Sequence, residues 1–468
     1  MPAFTATSDK CSRKERRPAN SGQSNSQRPL NWSPLKKVYH TIVPSLFAFL
    51  TTFSTSTPEP ALPSLIEDFG INHTTAILSV SLYTIGLAIG PLFLVPLSET
   101  YGRRWIYVTA SSSLVAFSAG AGAAHNFAAY LICRFFSGCL GSASIALGAG
   151  TISDLWPPGE ERAVASLLFV ACPFLAPSLG PLVGAYITNA HGGNWRWTQW
   201  ILVFVGLPIW AMVLLMQETM APQESHRFSR KMSANPILLP FRMLFSDWII
   251  MALSMHTSFG YAIIFSFFSS FFYVLKNKYG FETREASLCF LGLIIGYFLA
   301  IMMFLVMEKT IVGSKRLTSE GRTTPERRLY SGIIGAVLLL VGELWYSLAS
   351  HWASSWHVLA SSGIFVGWGV LELFLSAMTY ISHIYPPESV ASAIAANGAL
   401  RYSLGAAFPL FTVQMYEELG SPWASGIFAL LSLLLMPIPW LLCKYGERLR
   451  RSIVSGLPCE EVPTTVSA

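Results

Sequence analysis

Six ionisable side chains stand inside otherwise apolar runs of this sequence: Glu59, Arg134, His256, Glu343, Glu372 and Arg401. A charge at membrane depth is costly, so such groups mark proton relays, ion paths or substrate contacts. Glu372 and Arg401 are singled out as a pair. Each lies about eight residues, roughly 12 Å at 1.5 Å per residue, from the same end of consecutive antiparallel helices. An isolated charge there costs several kcal/mol and an opposite partner removes much of it. The two are therefore expected to pair when the site is empty, and protonation of Glu372 or a cationic substrate would release Arg401. In the alternative, Arg401 bonds to carbonyls and Glu372 reaches the headgroups. Arg134, about seven residues or 10 Å inside its span, is either a functional group at membrane depth or an anchor to neighbouring carbonyls. Glu59 and His256 join Glu372 as substrate-cavity candidates.

A second group is the polar hinge in "LFLVPLSETYGRRWIYVTA", residues 92–110. Gly102 permits a turn with positive φ, and Arg103 and Arg104 suit a headgroup boundary. Glu99 is left to accept from helix N-terminal amides or from a neighbouring arginine. With Asp154 and Arg162, which bracket "LWPPGEE" and are expected to pair across it, these residues form a candidate charged latch. Other chemistries find no residues. There is no G-x-x-x-x-G-K-[ST] phosphate loop, no His or Cys cluster with metal-ligand spacing, and hence no expected cofactor or metal. His351 and His357 in "HWASSWH" read as interfacial partners of Trp.

The elements that position these groups follow from composition. The 468 residues are 52% hydrophobic and 12% charged, with mean hydropathy +0.48. Soluble domains carry about a quarter charged residues, and about 20 apolar residues cross a bilayer as helix. The sequence thus predicts an all-α integral membrane protein. Twelve spans fall near 40–63, 76–97, 105–124, 128–151, 164–187, 197–217, 248–273, 285–306, 330–350, 355–380, 393–416 and 422–443. The first and eleventh are the weakest on hydropathy. Twenty-five of the 31 Lys and Arg residues fall on one side, four on the other and two within spans. The positive-inside rule then places both termini in the cytoplasm. The net charge of +6 is mostly this topology signal, and no nucleic-acid surface is expected. None of the seven cysteines lies in an outer loop, which argues against a disulfide framework. Asn72-His73-Thr74 is a candidate glycosylation sequon on the outer side.

The segment 218–247 separates six spans from six and reads as a cytoplasmic linker. Residues 40–217 and 248–443 would form two bundles around a midplane site, flanked by a disordered tail, 1–39, and a cytoplasmic tail, 444–468.

Here the sequence resembles the major facilitator superfamily. Its loop signature, roughly G-x-L-[SA]-[DE]-x-x-G-R-[RK], is matched by "VPLSETYGRRW", with Val95 at the first Gly. "CRFFSGCLGSASIALGAGTISD" resembles the fourth-span pattern with its membrane Arg, here Arg134. "APSLGPLVGAYI" resembles the antiporter pattern G-P-x-x-G-P-x-x-G-G through Pro177, Gly180, Pro181 and Gly184, with Ala176 and Ala185 replacing two glycines. "NWRWTQWI", "TTPERRL", "SAIAANGALRYSLGAAFPLF" and "MPIPWLLCKYGERLR" are similar to the twelve-span fungal drug:H+ antiporter branch. His383 in "YISHIY" stands where that branch usually has an acid. The resemblance implies a monomeric secondary transporter in two six-helix bundles. It would export small organic compounds (drugs, toxins or secondary metabolites) by proton antiport across the plasma membrane, the vacuolar membrane being the alternative. It also implies proton coupling at Arg134, and a peripheral position for span nine, which makes Glu343 a capped or interfacial acid. A polyamine or nutrient transporter of the same fold is the alternative within the class. A non-transporting receptor or membrane enzyme is the alternative outside it.

Overall fold

The computed structural model describes residues 29–157, 160–220, 239–312, 325–385 and 387–455. The chain runs through α1 (Pro34–Ser56), a 3-10 turn (Glu59–Ala61), α2 (Leu62–Phe69), α3 (His73–Tyr101), α4 (Arg103–Gly122), α5 (Phe127–Gly141), α6 (Ala143–Leu155), α7 (Glu160–Ala190) and α8 (Trp197–Leu214). Then come α9 (Leu239–Ser246), a helix inside the segment expected as linker, α10 (Trp248–Tyr279), α11 (Thr283–Leu288), α12 (Leu291–Met307), α13 (Leu329–Trp352), α14 (Trp356–Ile384), α15 (Pro387–Leu419), α16 (Ser421–Leu435) and α17 (Pro437–Ser455). No strand occurs among the described residues, and the fold is all-α.

Among the described residues nine helical segments are long and apolar enough to cross a membrane. The three expected spans outside that set are the first, third and eleventh, in α1, α4 and α15. Their deficit has a physical reason: they keep polar side chains toward protein neighbours. In α1, Thr51, Thr52, Ser54, Thr55 and Ser56 are all buried. Thr51 and Thr52 donate back to the carbonyls of Phe47 and Ala48, four residues earlier. The serines of α4 do the same, Ser112 to Val108 and Ser113 to Thr109. α15 holds Asn397 and Arg401, both buried. A hydropathy window counts such groups against a span although the fold satisfies or encloses them.

Two boundaries differ from the sequence reading. α1 starts at Pro34, inside the segment 1–39 expected to be a disordered tail; Pro34 occupies the first turn, where a missing N–H costs nothing. α17 continues past residue 443 to Ser455, into the expected tail. Residues 1–28, 221–238 and 456–468 of the tails and linker lie outside the described residues.

Helices meet closely where small residues face one another. A methyl on Gly138 of α5 would stand 2.3 Å from the Tyr83 carbonyl of α3, and one on Gly296 of α12 would stand 2.2 Å from the Ile364 carbonyl of α14. One apolar core runs across both bundles, joining Tyr83, Leu87 and Phe174 to Tyr261, Phe268, Tyr297 and Tyr402. Outward faces stay greasy: Phe298 and Met302 are more than half exposed, as a lipid-facing surface requires. The five described cysteines are unpaired.

Candidate functional site

The hinge is built by one glycine and one distant acid. Gly102 adopts φ +89°, closing α3 and opening α4 without a linker residue. The amides this leaves at the start of α4 are taken by Glu218, just beyond α8. Its carboxylate accepts from the Arg103 amide at 3.0 Å, the Arg104 amide at 3.1 Å, and the amides of Thr219 and Met220. A carboxylate at a helix N-terminus also meets the positive end of the helix dipole. The role considered for Glu99 is thus filled by Glu218; the side chain of Glu99 lies outside the described residues. Glu218 was not singled out, and its signal was slight: an acid in "MQETM" where the apolar run of span six stops.

Arg103 turns the other way. Its Nε lies 3.1 Å from Asp154 Oδ2 at the end of α6, and its Nη1 donates to the Leu147 carbonyl. Arg104 donates to the Leu214 carbonyl at 3.4 Å. Arg162 donates to the carbonyls of Trp156 and Ser153, and the Asp154 carboxylate acts on it through charge.

Half-way through the N-terminal bundle, Arg134 is 1% exposed. Its guanidinium donates to the carbonyls of Ser79, Ser54 and Thr55 and to the Ser54 hydroxyl, and lies 4.2 Å from the Tyr83 ring centre. This is the carbonyl-anchor geometry, tying α5 to α1 and α3. The span-five pattern also works on α1. The Ser56 hydroxyl donates to the Pro177 carbonyl at 2.6 Å. A methyl on Gly180 would stand 2.1 Å from Ser56 Oγ, and one on Gly184 2.2 Å from the Thr57 carbonyl. Pro181 lies between them in α7.

Hydrogen bonds join the bundles in the half away from the hinge. Glu59, 5% exposed, accepts from Ser269 of α10 at 2.6 Å. Gln414 donates to Thr74, Ser81 to the Ala406 carbonyl, and Ser178 to Tyr297. At the rim of that face Asn72 caps α3 by accepting from the Thr75 amide. Asp68 there accepts from the Trp195 indole and from Arg196, which together hold its carboxyl below the ordinary carboxylate value.

The expected pair of Glu372 and Arg401 is not formed. Neither residue belongs to a described ion pair. Glu372 is fully buried against α13, its Cβ 3.0 Å from where a methyl on Gly335 would stand. Arg401 is enclosed by rings instead: Tyr261 and Phe374 at 4.8 Å and Tyr402 at 4.4 Å. The reason is rotational. Phe374 meets Arg401, and Glu372, two residues earlier, points about 200° around the same helix. Nor does Arg401 bond to carbonyls; its Nε is buried without a hydrogen-bond partner among the described residues. Glu343 is fully buried, with no hydrogen-bond partner among the described residues, so it is neither capped nor interfacial. His256 is 2% exposed. His383 is exposed at the end of α14 and bonds its own helix at Thr379.

The rings around Arg401 reach the other bundle. Phe174 of α7 lies 4.8 Å from Phe374 and 6.1 Å from Tyr261 and Tyr297. On the hinge side, Gly398 of the same α15 face is half-buried, and a methyl there would have nothing within 4 Å. An arginine enclosed by rings where the two bundles meet, one turn from open space on the hinge side, suits reversible binding of a small molecule.

Residues 45–409 match the family model described as Major Facilitator Superfamily. The chain is 34% identical to the MFS-type transporter traF of Penicillium crustosum, covering 92% of this chain and 91% of that one. It is 33% identical to the efflux pump FUB11 of Gibberella moniliformis, covering 89% and 73%, and 29% identical to polyamine transporter 4 of Saccharomyces cerevisiae, covering 94% and 73%. Its fold is similar to that of a solved D-xylose-proton symporter, with TM-score 0.65 at 17% identity, over 87% of this chain and 98% of that one. The two-bundle arrangement and these similarities agree: the chain belongs to the major facilitator superfamily and is a multi-pass membrane transporter of small molecules, not an enzyme.

Proposed function

We propose that the chain exports small organic compounds by proton antiport, loading them from the hinge face and releasing them at the face where Glu59 and Ser269 now join the bundles. One observation carries this reading: the described cross-bundle hydrogen bonds lie in the half away from the hinge, while one turn from Arg401 on the hinge side Gly398 has open space beside it. The Lys and Arg distribution makes the hinge face cytoplasmic, with both termini on that side. Loading from the cytoplasm is what an exporter needs. Similarity to a protein named an efflux pump supports the same direction. The Arg103–Asp154 pair and the Glu218 cap would hold the hinge ends of α4, α6 and α8 together as one unit while the bundles rock. Arg134, wedged where α1 breaks into its 3-10 turn, is the coupling residue in this reading, because proton-driven rocking must move that turn against Ser269. The protein acts as a monomer in the plasma membrane.

The test is efflux from cells with and without the chain, on a panel of polyamines, fungicides and fungal metabolites, repeated after the proton gradient is collapsed. Gradient-dependent loss of cell-associated compound is expected. Gradient-independent accumulation in expressing cells would sink the proposal.

A further inference from the structure

We propose that Arg401 anchors an anionic group of the transported compound. The slot therefore selects planar organic anions, aromatic carboxylates above all, over neutral and cationic molecules of the same shape. This rests on the path proposed above and names what travels along it.

The first ground is an unmatched charge. Arginine stays protonated in any protein setting, and Arg401 is only 6% exposed. None of the described ion pairs includes it, and no described hydrogen bond leaves its guanidinium. Three rings supply cation–π attraction, which offsets part of the desolvation. Rings do not supply a counter-charge. The buried acids that might do so lie elsewhere. Glu372 packs on Gly335 and Glu343 sits in α13, both with carboxylate oxygens that meet no hydrogen-bond partner among the described residues, and Glu59 accepts from Ser269 at the sealed face. Arg134 shows the contrast, since its donors go to three carbonyls and a hydroxyl. Of the two arginines within spans, one is satisfied by the fold and the other is left with free donors.

The second ground is shape. Tyr261, Phe374 and Tyr402 surround the guanidinium, so the walls beside the charge are flat, and Phe174 of the other bundle packs behind Phe374 and Tyr261. Flat walls favour a flat, apolar body. A guanidinium fork matches two carboxylate oxygens at once. The third ground is access, because the open space at Gly398 lies one helical turn from Arg401 on the hinge side. A polyamine entering there would meet a fixed positive charge with no carboxylate beside it.

The experiment uses the purified full chain and three molecules of one shape: naphthalene-2-carboxylate, naphthalene-2-carboxamide and 2-naphthylmethylammonium. Binding is read by tryptophan fluorescence and by thermal shift, with no gradient imposed. The carboxylate is expected to bind tightest. Arg401→Gln should weaken it about ten- to hundredfold, the range for a lost charge-assisted hydrogen bond, while amide binding changes less than about threefold. Arg401→Lys retains the charge and loses the fork, and should fall between; if the Gln variant does not fold, the Lys variant and the wild-type preference decide. Equal binding of the three, preference for the ammonium, binding of none, or carboxylate affinity untouched in both variants would overturn the proposal. Efflux of the same compounds separates the two readings. Carboxylate binding without any efflux removes the export reading and keeps the anion site. Efflux of the amide and ammonium but not the carboxylate does the reverse.

Discussion

Arg103 reaches Asp154 at 3.1 Å through a gap that exists because residue 150 is glycine; a methyl on Gly150 would stand 1.9 Å from the Arg103 Nη1. Gly150 lies one turn before Asp154 in α6, so the same helix supplies both the anion and the room to reach it. Both partners of the pair are mostly buried, at 17% and 14% side-chain exposure, which lifts it above an ordinary surface pair.

Gly150→Val should therefore act like a loss of the pair. Overpacking costs about 1–3 kcal/mol, roughly 2–10 °C in the melting temperature of the purified protein. Asp154→Asn should cost less, and the double variant should be less destabilised than the sum. Strict additivity would show that the glycine and the pair are independent.

Glu218→Ala should fray the start of α4, because the Arg103 and Arg104 amides lose their acceptor. A lost cap costs about 0.5–2 kcal/mol. Hydrogen exchange at residues 103–108 should speed up by about ten-fold, with Glu218→Gln intermediate because it keeps an oxygen but not the charge. Unchanged protection in the Ala variant would reject the cap.

Gly180→Ala should reduce transport by driving a methyl to 2.1 Å from Ser56 Oγ. Adding Ser56→Ala removes that oxygen, so the double variant should regain part of the activity; the Thr57 amide and Phe53 carbonyl, at 3.0 and 3.2 Å, keep the recovery incomplete. Gly184→Val meets the Thr57 backbone carbonyl itself and should have no such rescue. Rescue of Gly184→Val by Ser56→Ala would contradict the assignment of these contacts.

Asp68 offers a pH test. The Trp195 indole and Arg196 stabilise its ionised form, so its pKa is lower folded than unfolded. The stabilisation is present above the unfolded value, about 3.9, and is lost as pH falls through the folded one. Wild type should thus melt about 1–2 °C above Asp68→Asn at pH 7, the modest effect of a partly exposed pair. That gap should close on acidification below about pH 4. A gap that does not narrow at all on acidification would point to packing and not to charge.

Membrane residence, helical class, the hinge and the crowded span-five glycines could all be read from residues in order, because each is a local property. Apolar run length needs no partner, a positive-φ turn needs only its glycine, and a G-P-x-x-G pattern already says that something must come close. Gly180 and Gly184 do approach α1 at contact distance. Hydropathy misled only where polar groups face inward, as in the serines and threonines of α1 and α4.

What tertiary structure decided was which way side chains turn and what arrives from far along the chain. Glu218 caps α4 from 115 residues away, a contact that only the packing of α8 beside α4 creates. Glu372 and Arg401 do share a depth, as counting along their helices predicts, yet depth is one coordinate of two. The other is rotation about the helix axis, about 100° per residue. An amphipathic helix reveals it by its polar stripe, but α14 is apolar on nearly every side, with Glu372 and Phe374 both buried. Only the packing of α13 on one face and Arg401 on the other sets that angle. It leaves the arginine among rings and the carboxylate behind a different helix.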